Sequence, residues 1–276
     1  METQLWREIL SPYELCVDEI MVKFNHLIDE FKNKGEYSPI EQVQGRVKSI
    51  SSIIDKAQKK NVPLDRIEEE IDDIAGIRII CQFVEDIYAV VDIIRQRKDM
   101  IIKEEKDYIN HMKKSGYRSY HLIVYYTVET LSGHKQVQVE IQIRTLAMNF
   151  WSTIEHSMQY KYKGAVPLDI RRRLSRAADA VIILDQEMSA IKNEIKEAQD
   201  SFRMKASMVA DILTNIHSLS KVIDEEELNE IQKEFDSIYK DQNMEELAKF
   251  NQKLDKIAES YHLQSLSSIN NFGFRR

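Results

Sequence analysis

Glycine and proline are scarce in this chain, seven and four of 276 residues, which excludes collagen-like, linker-rich and low-complexity architectures. Only two cysteines occur, Cys16 and Cys81. Neither has a paired-Cys or His-rich spacing around it, so a disulfide framework and a zinc cluster are excluded and both read as reduced core thiols in a cytoplasmic protein. No window approaches 18 apolar residues free of charge, and no basic stretch followed by an apolar run opens the sequence, so neither a membrane span nor an export signal is predicted. The pattern Gly, four residues, Gly, Lys and Ser or Thr is absent, which excludes a P-loop. Positive charge is not in excess either: the formal net charge is −7, so a phosphate-binding surface requires a local concentration of Lys and Arg. The stretch from Arg95 to Arg118 is the evident candidate.

What is present suits one full core plus an appendage. The second half is rich in Glu, Lys, Ala, Leu and Ile, which predicts long helices. A first helix is expected from about Gln4 to Phe31, with Trp6, Ile9, Leu10, Tyr13, Val17, Ile20 and Phe24 on its buried stripe, ended by Asn33-Lys34-Gly35. A second helix is expected to start near Pro39 or after Val47 and to reach Lys60, and a short one to span Leu64 to Ile71. Strands are predicted at Ala75 to Phe83, Met100 to Ile109, Ser119 to Val128 and Gln136 to Thr145, with a helix from Glu85 to Arg97. From Leu146 onward the pattern is helical: to Tyr162, then from Pro167 to about Met204, with breaks near Asp224 and Asp241 and a frayed tail from Ser267. These elements predict an α+β fold, a mixed β-sheet flanked by helices, over residues 1–200, and a long helical C-terminal extension over 201–276.

The most informative segment runs from Val139 to Thr145. Its strict alternation describes a strand with one buried face and a second face carrying Glu140, Gln142 and Arg144: a metal ligand or base, a neutral hydrogen-bonding group and a phosphate clamp in one row. Gly45-Arg46-Val47-Lys48 places two cations beside a glycine, and Lys56, Lys59 and Lys60 follow at helical spacing, as an extended phosphate cradle or a solvated helix end. Asp72-Asp73-Ile74-Ala75-Gly76-Ile77-Arg78 puts acidic residues before a buried strand with one internal arginine, which reads as a magnesium ligand with a phosphate contact or as an internal Asp–Arg ion pair. In Lys113 to His121 a basic glycine-containing loop enters a strand, with Tyr117 and His121 on one face, where Tyr117 can stack on a base or simply pack. In the following helix Leu146, Phe150, Trp151, Ile154 and Met158 are expected inside, while Asn149, Thr153 and His156 form a polar stripe.

These four clusters, in this order and spacing, together with Asn149-Phe150-Trp151 and Glu155-His156, resemble the RelA/SpoT-type alarmone synthetase domain, most closely its small single-domain RelQ type. The resemblance runs from roughly Trp6 to Met188. It implies a nucleotidyltransferase-like synthetase domain and a GTP pyrophosphokinase of the stringent response, transferring the β,γ-pyrophosphate of ATP to the ribose 3′-hydroxyl of GDP or GTP to give (p)ppGpp and AMP. Arg46, Lys48, Lys56 and Arg78 would bind ATP, and Asp73 with Glu140 would hold Mg2+ and form the catalytic pair, Glu140 also serving as general base. Tyr117 would stack on guanine, with His121, Gln142, Arg144 and Asn149 completing the GDP/GTP site. A homotetramer is implied, with an alarmone or single-stranded RNA as regulatory partner and no membrane; Gln42 and Gln44 stand where the regulatory cleft would present an aromatic and a hydroxyl. A hydrolase half is not expected, since no adjacent His-Asp pair occurs. Two alternatives are a toxin-like relative that pyrophosphorylates the 3′ end of tRNA and a silent RNA-binding scaffold; Asp73 with Glu140 argues against the second, and Tyr117 with Asn149 against the first.

Overall fold

The computed structural model describes residues 2–162, 166–241 and 243–271. Five strands form one mixed sheet in the order β1-β2-β5-β4-β3: β1 (Gln42–Val47), β2 (Ala75–Cys81), β3 (Met100–Asp107), β4 (Tyr120–Thr130) and β5 (Gly133–Thr145). The central β2–β5 pair is parallel and the other pairs are antiparallel. Strand β5 alternates and β2 is largely buried, as predicted, with Ile77, Ile79, Val139, Ile141 and Ile143 fully buried. Each such side chain contributes about 1.5–3 kcal/mol on leaving water.

One face of the sheet is covered by α1 (Glu2–Lys34) and α4 (Val84–Arg95). Tyr13, Val17, Ile20 and Phe24 of the expected stripe are buried, while Trp6 and Leu10 pack at its edge. Gly35 ends α1 in the left-handed conformation, φ +67°, which glycine adopts without strain. Gly45 serves this packing rather than a phosphate: a Cβ there would stand 2.4 Å from Val17 Cγ1 and 2.5 Å from Met21 Sδ. The strand β1 itself corrects the expected helix start near Pro39. Its partner β2 is distant in sequence, and its alternation is interrupted by that packing glycine, so local periodicity missed it.

Helix α2 (Ile50–Lys60) begins at a Ser49 cap and ends at Asn61, which is left-handed at φ 54°. A 3-10 turn (Leu64–Arg66) and α3 (Ile67–Glu70) lead into β2. Beyond β5, α5 (Leu146–Lys161) is rotated relative to expectation. Met148, Trp151 and Ser152 are buried, whereas Leu146 is 51% and Phe150 67% exposed. Asn149 is partly buried between Met148 and Ser152, not on the outer stripe with Thr153 and His156.

The chain divides into two compact units, 1–191 and 192–276. Helix α6 (Leu168–Leu219) outlasts its predicted end near Met204, since its apolar period continues through Ile212, Ile216 and Leu219. The second unit has its own core, in which Ile212, Ile216 and Leu219 meet Ile231 and Phe235 of α7 (Glu225–Asp241) and Leu247, Phe250 and Leu254 of α8 (Met244–Asn271). Asp224 and Asn243 cap α7 and α8 through their side-chain oxygens. The stretch expected to fray from Ser267 is helical as far as Asn271, and 272–276 lie outside the described residues. No described helix is long and apolar enough to cross a membrane.

Candidate active site

Strand register gathers the polar side chains of four segments onto the second face of the sheet. Arg46, Gly76 and Glu140 stand in one row across β1, β2 and β5. Gln44, Arg78, Gln142 and His121 stand in the next, which reaches β4. Arg144 follows two residues after Gln142. Gly76 puts no side chain between Arg46 and Glu140, and a cavity of about 170 Å3 opens there, lined by Gln44, Arg46, Asp73, Arg78, Glu140 and Gln142. Sequence reading missed Gln44 and Gly76 as site residues. Gln44 shares the face of Arg46 two positions on, a signal that becomes legible only once β1 is recognised as a strand.

Asp73, in the turn before β2, takes two ammonium groups on one oxygen. Lys48 Nζ lies 2.6 Å and Lys56 Nζ 2.8 Å from Oδ2, while Oδ1 is buried with no hydrogen-bond partner. Burial alone would raise this carboxyl, but the two lysines outweigh it and hold Asp73 below its ordinary pKa. The anticipated alternative, an internal Asp–Arg pair, is not what forms. Arg78 makes no ion pair among the described residues, and its Nε is buried without a partner. Lys59 remains exposed and Lys60 reaches the Glu70 carbonyl at 3.5 Å, so both serve the helix end.

Glu140 anchors a closed ring of hydrogen bonds. His121 Nδ1 lies 2.9 Å from Glu140 Oε1, and His121 Nε2 meets the Tyr117 hydroxyl at 2.8 Å. Arg144 Nη2 donates to that hydroxyl at 3.1 Å and to Gln142 Oε1. Gln142 Nε2 donates to Glu140 Oε2 at 2.7 Å and closes the circuit. Burial pushes the Glu140 carboxyl up, yet His121 and Gln142 together bring it below its ordinary value. An ionised carboxylate only accepts, so His121 Nδ1 carries its hydrogen. Burial raises the Tyr117 phenol, which therefore stays neutral. Its ring is half-buried, edge-on to Tyr108 and His121, with Lys113 Nζ 4.9 Å and the Arg144 guanidinium 5.6 Å from its centre. Gly116 turns the loop at φ +90° and packs against α6, where a Cβ would meet Ala178 Cβ at 2.4 Å.

The electrostatics of this face favour an anion. Burial lowers the pKa of Arg78, and Arg46 beside it lowers it further. Burial likewise lowers Arg144, with Arg78 adding to the repulsion, and the Nε of Arg144 also lacks a partner. Each unsatisfied buried group costs about 1–3 kcal/mol, which a polyanion whose oxygens accept from all three guanidiniums would offset. In the basic run from Arg95 to Arg118, expected to supply the phosphate surface, five cations are already held by carboxylates, while Lys113 lies over the rings of Tyr108 and Tyr117. Arg95 is bound to Glu105 and Asp92, Arg97 to Asp99, Lys103 to Asp72, Lys106 to Glu104 and Arg118 to Asp185. Asn149, in the first turn of α5, has a buried Oδ1 without a partner. Among the described residues no three His, Cys, Asp or Glu converge as a metal cluster; Asp73 and Glu140 are the two carboxylates that line the cavity.

Comparison with known proteins agrees with this geometry. Residues 45–165 match the region found in RelA / SpoT proteins. The chain is 50% identical over 205 residues to the GTP pyrophosphokinase YjbM of Bacillus subtilis, covering 74% of this chain and 97% of that one. The small alarmone synthetase 1 of Bacillus subtilis bound to its product pppGpp superimposes with a TM-score of 0.68 at 50% identity, over 70% of this chain and 98% of that one. The same enzyme bound to AMPCPP gives 0.63 at 46% identity, over 70% and 99%. The chain therefore belongs to the RelA/SpoT family, among its small alarmone synthetases.

Proposed function

We infer that this chain is a GTP pyrophosphokinase that makes (p)ppGpp, moving the β,γ-pyrophosphate of ATP to the 3′-hydroxyl of GDP or GTP and releasing AMP. The observation that carries this reading is the row of under-partnered arginines beside an ionised carboxylate pair, in a chain half identical to YjbM over nearly all of that protein. Its relatives' complexes with an ATP analogue and with pppGpp support the two halves of the reaction.

Arg46 and Arg78, with Lys48 and Lys56 behind Asp73, form the donor side, where charge neutralisation is the main requirement for bringing one polyanion against another. Tyr117, His121, Gln142, Arg144 and Asn149 form the acceptor side. Tyr117 offers its ring to guanine, and the hydrogen-bond ring fixes it relative to Glu140, so that the acceptor hydroxyl is oriented by the base that engages it. A pKa below the ordinary range makes Glu140 a steady acceptor for the 3′-hydroxyl proton and a modest base. His121, hydrogen-bonded to Glu140 through Nδ1, holds that carboxylate in place as it engages the hydroxyl.

The residues fit magnesium. A divalent ion of this kind uses one or two carboxylates together with substrate phosphate oxygens, and Asp73 Oδ1 is a buried oxygen with no other partner. Asp73 and Glu140 would hold it; when bound it would neutralise the phosphate oxygens of the donor. Homotetrameric assembly, a cytoplasmic location and regulation by an alarmone or single-stranded RNA complete the proposal on family likeness.

Purified protein incubated with γ-labelled ATP, Mg2+ and, separately, GDP, GTP, GMP or tRNA tests the assignment. Label on a guanosine nucleotide, with AMP released, is expected. Label on tRNA alone, or no transfer, overturns it.

A further inference from the structure

The loop that carries Tyr117 runs from the end of β3 at Asp107 to the start of β4 at Tyr120, and a loop of that length needs outside anchors to present one ring at a fixed place. Within its tip the Gly116 amide donates to the Lys113 carbonyl at 2.9 Å and the Lys113 amide to the Tyr117 carbonyl at 3.3 Å. The residues on either side of Tyr117 are held by one face of α6. Gly116 packs on Ala178, and Arg118 Nη1 lies 3.4 Å from Asp185 Oδ2. Ala178 and Asp185 are seven positions apart, so they share a side of the helix with Leu174, whose carbonyl accepts the Trp151 indole N–H of α5 at 2.9 Å. Asp185 also accepts the Thr145 hydroxyl, and Thr145 Oγ1 in turn accepts the Met148 amide at 3.1 Å. Thr145 directly follows Arg144, and Met148 directly precedes Asn149. One carboxylate therefore joins both flanks of the acceptor side.

Stability is a poor reason for a carboxylate here. Asp185 is 4% exposed, and Ala147, Val181 and Leu184 line the same apolar hollow. Burial pushes its carboxyl above the ordinary value in spite of Arg118 and Thr145, so the charge is kept at a cost. An apolar side chain of similar size would often hold the helix as well. What an apolar side chain lacks is direction: it cannot fix a guanidinium and a hydroxyl at set angles at once. We propose that Asp185 is a positioning residue of the acceptor side, resting on the assignment of Tyr117 to the acceptor nucleotide. Through Arg118 it holds the loop of Tyr117, and through Thr145 it holds the junction of β5 and α5 that presents Arg144 and Asn149. Arg118, taken up by this pair, is a tether of the loop and not a phosphate ligand.

Kinetics and hydrogen exchange on the full chain test this separately. Asp185→Asn is expected to raise KM for GDP about 10-fold and KM for ATP by less than about twofold, and Arg118→Gln to do the same, while the double variant is no worse than the worse single one, as for two groups acting through one contact. Equal rises in both KM values, or additive effects in the double variant, overturn the pairing. Amide exchange does not depend on any activity. In Asp185→Asn the amides of Lys113 and Gly116 are expected to exchange faster than in the parent chain. In Ser189→Ala, which loses the bond from α6 to Glu85 at 3.0 Å, they are expected to exchange as before. Unchanged exchange in Asp185→Asn overturns the proposal, and so does an equal increase in Ser189→Ala. Faster exchange in Asp185→Asn with no rise in KM for GDP would leave the tether in place and remove Tyr117 from the acceptor site.

Discussion

Two concentrations of positive charge sit in one unit and behave oppositely. The run from Arg95 to Arg118 is the denser in sequence, yet each of Arg95, Arg97, Lys103, Lys106 and Arg118 is bound by a carboxylate within 3.4 Å. Arg46, Arg78 and Arg144 are spread over 99 positions of sequence, yet strand register draws Arg46 and Arg78 onto one face in adjacent rows, with Arg144 two residues beyond the row of Arg78, and two of the three keep a buried nitrogen unsatisfied. The difference teaches that available charge depends on who the neighbours are, not on how many cations adjoin in the chain. Ion pairs between exposed groups contribute little to stability; unpaired buried cations are retained at a cost and so point to a ligand.

The sharpest break in this comparison would come at its carboxylates. Glu140→Gln keeps the shape but loses the charge facing the arginines, and is expected to lower kcat roughly 10³-fold, the scale of losing one preorganised charge-stabilising group, in the labelled-transfer assay. Full activity would remove Glu140 from the chemistry. The next effect concerns the acceptor: Tyr117→Ala should raise KM for GDP or GTP about 10-fold, since base stacking contributes about 1–3 kcal/mol, with KM for ATP changed far less. Equal changes would sink the stacking role.

The pH profile sharpens the picture further. His121 and Gln142 hold the Glu140 carboxyl below its ordinary value. The stability that this lowered pKa confers is therefore fully present above about 4.3, the unfolded value, and lost as pH falls through the folded one. His121→Ala removes one of the groups that lower it, so the acid limb of kcat/KM should move to higher pH; an unmoved limb would mean that the ring does not tune Glu140. Packing gives a smaller effect. Gly45→Ala should destabilise by about 1–3 kcal/mol through overpacking against Val17 and Met21, seen as a lower urea midpoint with KM for ATP little changed. A raised KM with unchanged stability would return Gly45 to the phosphate site.

Much of the fold was legible because the central strands and the long helices carry strong local periods. The strand at Val139 to Thr145 and the helix stop at Gly35 needed no distant information. What escaped depended on long-range contacts. Strand β1 is short and hides a packing glycine. The face of α5 is set by what covers it, so Met148 and Ser152 went inside and Leu146 and Phe150 outside. For the site, the alternation of Glu140, Gln142 and Arg144 and the shared face of Tyr117 and His121 were readable as separate pieces. Their closure into one ring was not, because it depends on the pairing of His121 with Gln142 across β4 and β5. The pairing of the basic run was equally hidden, since Asp72 and Asp185, which bind Lys103 and Arg118, lie 31 and 67 residues away.

The most direct test measures the affinity of a non-hydrolysable ATP analogue, by calorimetry with Mg2+, for Arg78→Gln beside Arg95→Gln. The account predicts a loss of roughly 10²-fold at Arg78, about 2–3 kcal/mol for a charge-assisted phosphate contact, and a change within about twofold at the already paired Arg95. Equal losses, or a larger one at Arg95, would contradict the claim that the unpaired arginines form the donor site.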